Sequence, residues 1–138
     1  MQKPTNYLGL DVGTKRIGMA QADDLIKIAR PLPTIMADED CFEVIARCAN
    51  NENCQTIVVG YPRNLSGEPT AQTASVEAFV STLRQHFDGN IVYQDESLTS
   101  VTAEQRLGAD THRIKRGDID AEAACIIVTD YLESQHGR

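Results

Sequence analysis

Long apolar runs are missing from this sequence. It contains no stretch of about 18 apolar residues, the length that a membrane-spanning helix needs. Residues 1–6 also lack the apolar segment of a secretory signal peptide. We therefore expect a cytoplasmic protein that does not enter a membrane.

The cysteines lack the spacing that two common uses of this residue require. The chain has four cysteines, and none forms the CxxC or CxxxH pairs that are typical of zinc sites. Their spacing also gives no support to the disulfide framework of small secreted proteins. We expect buried free thiols at Cys41, Cys48, Cys54 and Cys125.

A surplus of positive charge is absent too. The chain carries 13 Lys and Arg residues against 20 Asp and Glu residues, a formal net charge of −7. Proteins usually meet nucleic-acid phosphates with an excess of Lys and Arg, so the net charge taken alone disfavours a nucleic-acid partner.

With 41% hydrophobic and 24% charged residues, the composition is that of a soluble globular protein. A length of 138 residues predicts a single domain over residues 1–138.

Strand and helix patterns alternate along the chain. Short alternating or continuous apolar runs predict five strands, and apolar residues three and four apart predict amphipathic helices. The fourth strand is continuously apolar, which is typical of a parallel strand covered on both faces. The strands are predicted at 7–11, 16–21, 25–29, 56–60 and 90–94, and the helices at 40–50, 76–87, 99–107 and from 118 onward.

This order of elements predicts an α/β fold with a mixed five-stranded sheet and helices on both faces. The first three strands form an antiparallel meander. The first, fourth and fifth strands run parallel, because helical crossovers join them. Ligands of such sheets bind at the carboxyl ends of the parallel strands, so a functional site is expected at that edge.

Several carboxylates are predicted to meet at this edge. Asp11 ends the first strand, Asp95 and Glu96 end the fifth, and Asp118 and Asp120 open the last helix. Clustered carboxylates repel unless they share protons or bind a cation, and oxygen ligands favour Mg²⁺ or Mn²⁺. A turn at Asp11 and an N-cap in the last helix are the structural alternatives. Spacing alone does not choose between Asp95 and Glu96, or between Asp118 and Asp120.

The turn after the first strand has a second potential use. Backbone N–H groups around Gly13, with Lys15 and Arg16 beside them, could cradle a phosphate. The segment does not match the GxxxxGK[ST] or GxGxxG patterns of nucleotide-binding loops. An ordinary glycine turn is the alternative interpretation.

Five motifs run in order through nearly the whole chain: DVGTKRIG at 11–18, ARPL at 29–32, VGYPRNLSG at 59–67, DESLTS at 95–100 and DIDAEAA at 118–124. Together they resemble the YqgF (RuvX) family. The resemblance implies the RNase H-like fold of the RuvC Holliday-junction resolvases. It also implies a nuclease that processes the 5′ end of pre-16S rRNA during ribosome biogenesis or, alternatively, one that resolves Holliday junctions in DNA.

The resemblance assigns the carboxylates that the spacing leaves open. It implies that Asp11, Glu96 and Asp120 are the catalytic residues and the ligands of one or two Mg²⁺ or Mn²⁺ ions, which would support phosphodiester hydrolysis without a protein nucleophile. Asp118 departs from the family pattern, in which this position is often basic or neutral. Cations at a carboxylate cluster would reverse its local sign, so the acidic net charge no longer disfavours a nucleic-acid partner.

Basic residues near these motifs are the predicted contacts to nucleic acid, either structured RNA or branched DNA. The ribosome or its precursors would be partners of an rRNA nuclease. A monomer would suit rRNA trimming, whereas a homodimer would cut a symmetric junction in pairs. The predicted contact residues are Lys15, Arg16, Arg30, Arg63, Arg113, Lys115 and Arg116.

Two other classes of protein share parts of this pattern. Phosphotransferases of the actin, sugar-kinase and Hsp70 kind also begin with a strand and an Asp-x-Gly-Thr loop, but they need two lobes and this chain has residues for one. A non-catalytic module that binds nucleic acid or the ribosome could keep the same core. The presence of all three carboxylates favours an enzyme.

Overall fold

The computed structural model describes residues 3–62, 70–96 and 116–136. Within these residues it contains five strands and three helices. In chain order they are β1 (Asn6–Val12), β2 (Arg16–Asp23), β3 (Arg30–Met36), α1 (Cys41–Asn51), β4 (Cys54–Pro62), α2 (Ala71–Leu83), β5 (Asn90–Glu96) and α3 (Arg116–His136). The predicted helix at 99–107 lies outside the described residues.

The strands of the described residues form one sheet in the order β3-β2-β1-β4-β5. β2 pairs antiparallel with both β1 and β3, whereas β4 pairs parallel with both β1 and β5. The predicted mixed sheet, an antiparallel meander continued by parallel strands, is confirmed. Strands β1, β4 and β5 therefore end at one common edge of the sheet, called the carboxyl-end edge below.

Alternate residues of the strands point into two apolar layers. Leu8 and Leu10 of β1 belong to the larger layer, together with buried residues of α1 and α2. Val58 of β4 belongs to the other layer, where it packs with Val128 and Leu132 of α3. Helices cover both faces of the sheet, as predicted, and α3 lies opposite α1 and α2.

The third strand does not lie where the pattern predicts it. The prediction of a strand at 25–29 is wrong, since β3 begins only at Arg30. The Asp23 carboxylate accepts hydrogen bonds from the backbone N–H groups of Leu25 and Ile26, and Lys27 has a φ of 61°. The chain therefore turns at this point, and the two apolar side chains are 60% and 68% exposed. β3 accommodates its prolines because it forms an edge of the described sheet.

A reciprocal cap fixes the start of α2 near the carboxyl-end edge. The Thr70 hydroxyl accepts a hydrogen bond from the Thr73 N–H group, and the Thr73 hydroxyl accepts one from the Thr70 N–H group. Because of this capping box, α2 begins at Ala71, before Val76, the first residue of the predicted apolar stripe.

Among the described residues, no helix combines the length and the apolar character needed to cross a bilayer.

The cysteines fit the prediction made from their spacing. Cys41 and Cys54 are buried free thiols, Cys125 is buried, and Cys48 is half-buried. Burial raises the pKa of the Cys54 thiol to about 12, and the Cys48 and Glu52 side chains add to the rise. The Cys54 side chain therefore remains a neutral thiol at physiological pH, as expected for a packing residue.

Candidate active site

Asp11 lies in β1 at the carboxyl-end edge, on the face of the sheet that α3 covers. Its antiparallel partner on β2 is Gly18. A Cβ atom at Gly18 would collide with the backbone carbonyl oxygen of Asp120 in α3. The absence of a side chain at position 18 thus allows the backbone of α3 to approach β2 directly beside Asp11.

The Asp11 carboxyl group is electrostatically perturbed. Burial raises its pKa from 3.8 to about 6, and the negative charge of Asp120 contributes to the rise. Both causes disfavour the ionised form, because a carboxylate loses hydration and faces a like charge. Asp11 and Asp120, which the sequence predicts to converge, are therefore close enough to interact.

Arg16 places a positive charge at Asp120, the second of these carboxylates. Its Nε atom donates a hydrogen bond of 2.7 Å to Oδ2 of Asp120, and both side chains are partly buried. Arg16 starts β2, so the turn between β1 and β2 brings it to the carboxyl-end edge. The turn is closed by a 3.0 Å hydrogen bond from the Gly13 N–H group to the Arg16 carbonyl oxygen.

Because side chains alternate along a strand, Asp95 and Glu96 lie on opposite faces of the sheet. Ile91 of β5 lies in the layer of α1 and α2, whereas Val92 packs against the layer of α3. Alternation therefore places Asp95 on the face of Ile91 and Glu96 on the face of Val92, the face that also carries Asp11. The Oε1 atom of Glu96 is buried.

The register locates Glu96 relative to the other carboxylates. Leu10 pairs with Val59, so Asp11 lies level with the following residue, Gly60, which pairs with Gln94 of β5. Glu96 is thus two strands away from Asp11 and two residues further along, at the same edge and on the same face. The structure brings Asp11 and Asp120 together and sets Glu96 further along that face.

The donor chemistry of this edge suits a hard divalent cation. Carboxylate oxygens are the ligands that Mg²⁺ and Mn²⁺ prefer, and a cation would stabilise the ionised form of a half-buried carboxyl group such as Asp11. Within residues 3–62, 70–96 and 116–136, no three His, Cys, Asp or Glu side chains are grouped closely enough to hold a metal ion. Of the three predicted metal ligands, Asp11 and Asp120 are therefore the two that the structure brings together.

A cleft of about 770 Å³ opens beside these residues. It lies between the turn that joins β1 to β2 and the first turns of α2, and it reaches Asp120 of α3. Its rim carries the exposed Lys15 and the partly buried Arg16. The lining residues are Val12, Gly13, Thr14, Lys15, Arg16, Ala71, Gln72, Ser75, Val76, Phe79 and Asp120.

Arg30 lies away from this edge. It pairs with Gln21 in the register of β2 and β3, near the start of β1, and its guanidinium forms an ion pair with Glu52. Glu52 itself lies near Asn6, whose side-chain amide donates a hydrogen bond to the Glu52 carbonyl oxygen. The structure thus separates Arg30 from Lys15 and Arg16.

The other predicted contacts fall at the limits of the described chain. Arg63, Arg113 and Lys115 lie outside the described residues. Arg116 begins α3, and Asp118 lies in its first turn, with the backbone alone described at both positions.

Sequence reasoning missed two features of this edge. The close approach at Gly18 has a sequence signal, because a glycine inside a strand often marks a place where another backbone comes near. No sequence signal indicates that Gln72 and Ser75 line the cleft, because both are ordinary exposed positions of an amphipathic helix.

Solved structures of junction resolvases share this fold. The RuvC structure of Thermus thermophilus has a TM-score of 0.54 at 11% sequence identity, covering 96% of this chain and 97% of that one. The fowlpox virus resolvase, solved with substrate Holliday junction DNA, has a TM-score of 0.57 at 12% identity, covering 96% and 99%. The likeness concerns the fold, and it confirms the RNase H-like class that the motifs imply.

The sequence itself defines the family. Residues 5–134 match the RuvX family, described as Holliday junction resolvase. A "Putative pre-16S rRNA nuclease" from Chlorobaculum tepidum is 38% identical over 132 residues, which is 92% of each chain. The chain therefore belongs to the RuvX family, and the resemblance of its motifs is confirmed. Both descriptions are those of nucleases, which hydrolyse phosphodiester bonds.

Proposed function

We propose that this protein is a divalent-metal-dependent endonuclease that acts at the 5′ end of 16S rRNA precursors, with residues 1–138 forming one catalytic domain. The observation that carries the proposal is the interaction of Asp11 with Asp120 at the carboxyl-end edge, next to the cationic Arg16. The name of the Chlorobaculum tepidum relative supports the choice of substrate. A cytoplasmic location and ribosome precursors as partners follow from that substrate.

Three carboxylates would hold the metal. Asp11 and Asp120 already interact, and Glu96 lies on the same face of the sheet. Mg²⁺ or Mn²⁺ bound by these residues would supply an activated water and stabilise charge on the leaving oxygen. No side chain of the protein then needs to act as a nucleophile.

The basic residues of the turn would position the substrate. Lys15 and Arg16 line the cleft at its rim, where they can attract a phosphodiester toward Asp120. The positive end of the α3 dipole lies at the same edge and favours an anion there. These groups concentrate positive charge at one edge of a protein whose net charge is −7.

Cleavage assays on a pre-16S rRNA 5′ fragment test the proposal. Cleavage should require Mg²⁺ or Mn²⁺, stop when a chelator is added, and be abolished by Asp11→Asn. The matched control is Asp88→Asn, which removes an exposed carboxylate elsewhere on the surface and should leave the rate unchanged. Equal rates for Asp11→Asn and the parent protein would refute the proposal.

The description of the family favours a second candidate function, the resolution of Holliday junctions. A symmetric junction is cut in pairs, which calls for a homodimer, whereas an rRNA end can be trimmed by a monomer. The mass of the protein in solution, measured with and without a four-way DNA junction, separates the two. A dimer on the junction together with paired cuts would favour resolution, and a strict monomer would favour rRNA processing.

A further inference from the structure

The cleft beside the candidate active site has two chemically different sides. Lys15 and Arg16 form a cationic rim, whereas the partly buried Val12 and Phe79 form an apolar wall. A cationic rim next to an apolar wall suits a ligand that carries both a phosphate and a flat apolar ring. Proteins that bind single-stranded nucleic acids combine these two features in their grooves.

The polar lining offers further contacts. Gln72 and Ser75 lie on the exposed side of α2 at this cleft. The Ser75 hydroxyl donates a 3.3 Å hydrogen bond to the Ala71 carbonyl oxygen within the helix and keeps its acceptor capacity. An amide and a hydroxyl can pair with the edge of a base or with a ribose hydroxyl.

The apolar wall distinguishes an unpaired nucleotide from a duplex. A volume of about 770 Å³ lies within the range of pockets that enclose small ligands. In a duplex both faces of each base are covered by neighbouring bases, so an apolar wall meets no free base face. An unpaired base presents such a face, while a duplex could touch the rim only through its phosphates.

The position of the cleft ties it to the site of cleavage. Asp120 and Arg16 line the cleft, and the hydrogen bond of 2.7 Å joins their side chains. A phosphodiester held at Asp11 and Asp120 would therefore place an adjoining nucleotide at the cleft. We infer that the cleft binds an unpaired nucleotide of single-stranded RNA next to the bond that is cut. This inference rests on the proposed function and narrows its substrate to RNA that is unpaired at the cut.

Filling the cleft with a large side chain tests the inference. Ser75→Trp and, as an independent variant, Gln72→Trp would occupy the cleft from α2. Ser81→Trp is the control, because Ser81 is also exposed on α2 but does not line the cleft. All three are made in an Asp11→Asn background so that the RNA stays intact, and thermal unfolding checks that each variant folds.

The readout is fluorescence anisotropy with two labelled probes, a single-stranded RNA of about ten nucleotides and a blunt RNA duplex of the same sequence. Ser75→Trp and Gln72→Trp should raise the Kd for the single strand by about tenfold, as expected for the loss of one stacked base. The Kd for the duplex should stay unchanged, and Ser81→Trp should change neither. An unchanged Kd for the single strand, or an equal loss for the duplex, would overturn the inference.

The cleavage assay separates this inference from the proposed function. A parent protein that cuts the rRNA fragment, combined with unaffected single-strand binding by the filled-cleft variants, overturns the cleft assignment and leaves the nuclease intact. A parent protein that cuts nothing, combined with a selective loss of single-strand binding, overturns the nuclease and supports the cleft as a binding site.

Discussion

The Nε atom of Arg16 donates a hydrogen bond of 2.7 Å to Oδ2 of Asp120, joining two residues that lie 104 positions apart in the sequence. This contact links the start of β2 to the first turns of α3. It also places a positive charge next to the carboxylate that raises the pKa of Asp11. One side chain thus fixes part of the site and offsets part of its negative charge.

Arg16→Gln should lower the free energy of unfolding by about 1–2 kcal/mol, because Asp120 loses a charge-assisted hydrogen bond in a partly buried place. Urea denaturation measures the change. Arg47→Gln removes the same charge from an exposed position of α1 and should cost little. If both variants lost the same free energy of unfolding, the ion pair of Arg16 with Asp120 would contribute nothing to stability beyond its effect on net charge.

Gly18→Ala should displace α3, since the new Cβ atom would collide with the Asp120 carbonyl oxygen. We expect a loss of about 1–3 kcal/mol in unfolding free energy and a loss of RNA cleavage beyond what instability explains. Gly89→Ala is the matched control, because its Cβ atom would collide with the Gln55 carbonyl oxygen instead. Cleavage assays at a temperature where both variants are folded should find only the Gly89 variant active.

Periodicity was sufficient to predict most of the fold. The apolar stretch within β4, the amphipathic α2 and the parallel run of β1, β4 and β5 all follow from patterns that depend on near neighbours in the chain. The prediction misplaces the third strand because a short apolar stretch such as 25–29 is also compatible with a turn. The Asp23 side chain and the left-handed conformation of Lys27 form that turn.

The site was harder to predict because it depends on register. Asp95 and Glu96 are adjacent, and only the packing of Ile91 and Val92 on opposite layers decides which face each of them takes. Arg30, a predicted contact, pairs with Gln21, which places it away from the carboxyl-end edge. Neither relation is encoded in local spacing.

The stability of the protein should depend on pH through Asp11. Its pKa is about 6 in the folded state against 3.8 ordinarily, so the folded protein holds this proton more tightly than the unfolded chain does. The free energy of unfolding should therefore fall as pH rises from about 4 to about 6, by up to about 3 kcal/mol. Asp11→Asn lacks this titration and should be the more stable protein at neutral pH. A stability difference between the two proteins that does not change with pH would contradict the raised pKa.

Divalent cations should restore part of the stability that the protein loses when the Asp11 carboxyl group ionises. A cation that binds the folded state raises its free energy of unfolding. Once the cation concentration exceeds Kd, this gain grows with the logarithm of the concentration. Thermal unfolding of the parent protein at neutral pH should shift upward with Mg²⁺ or Mn²⁺, and Asp11→Asn should show a smaller shift. Asp88→Asn should respond like the parent protein, and an identical response of all three would place the cation elsewhere.

Salt dependence of RNA binding should distinguish Lys15 from Arg30. Lys15 is exposed on the rim of the cleft, whereas Arg30 is paired with Glu52 away from that edge. Each lost phosphate contact lowers the slope of log K against log salt by about 1, so Lys15→Gln should weaken binding and flatten the slope. Arg30→Gln removes the same charge and should leave both quantities unchanged, because its ion pair already neutralises it. If Arg30→Gln flattened the slope as much as Lys15→Gln, the RNA would have to reach beyond the carboxyl-end edge to the start of β1.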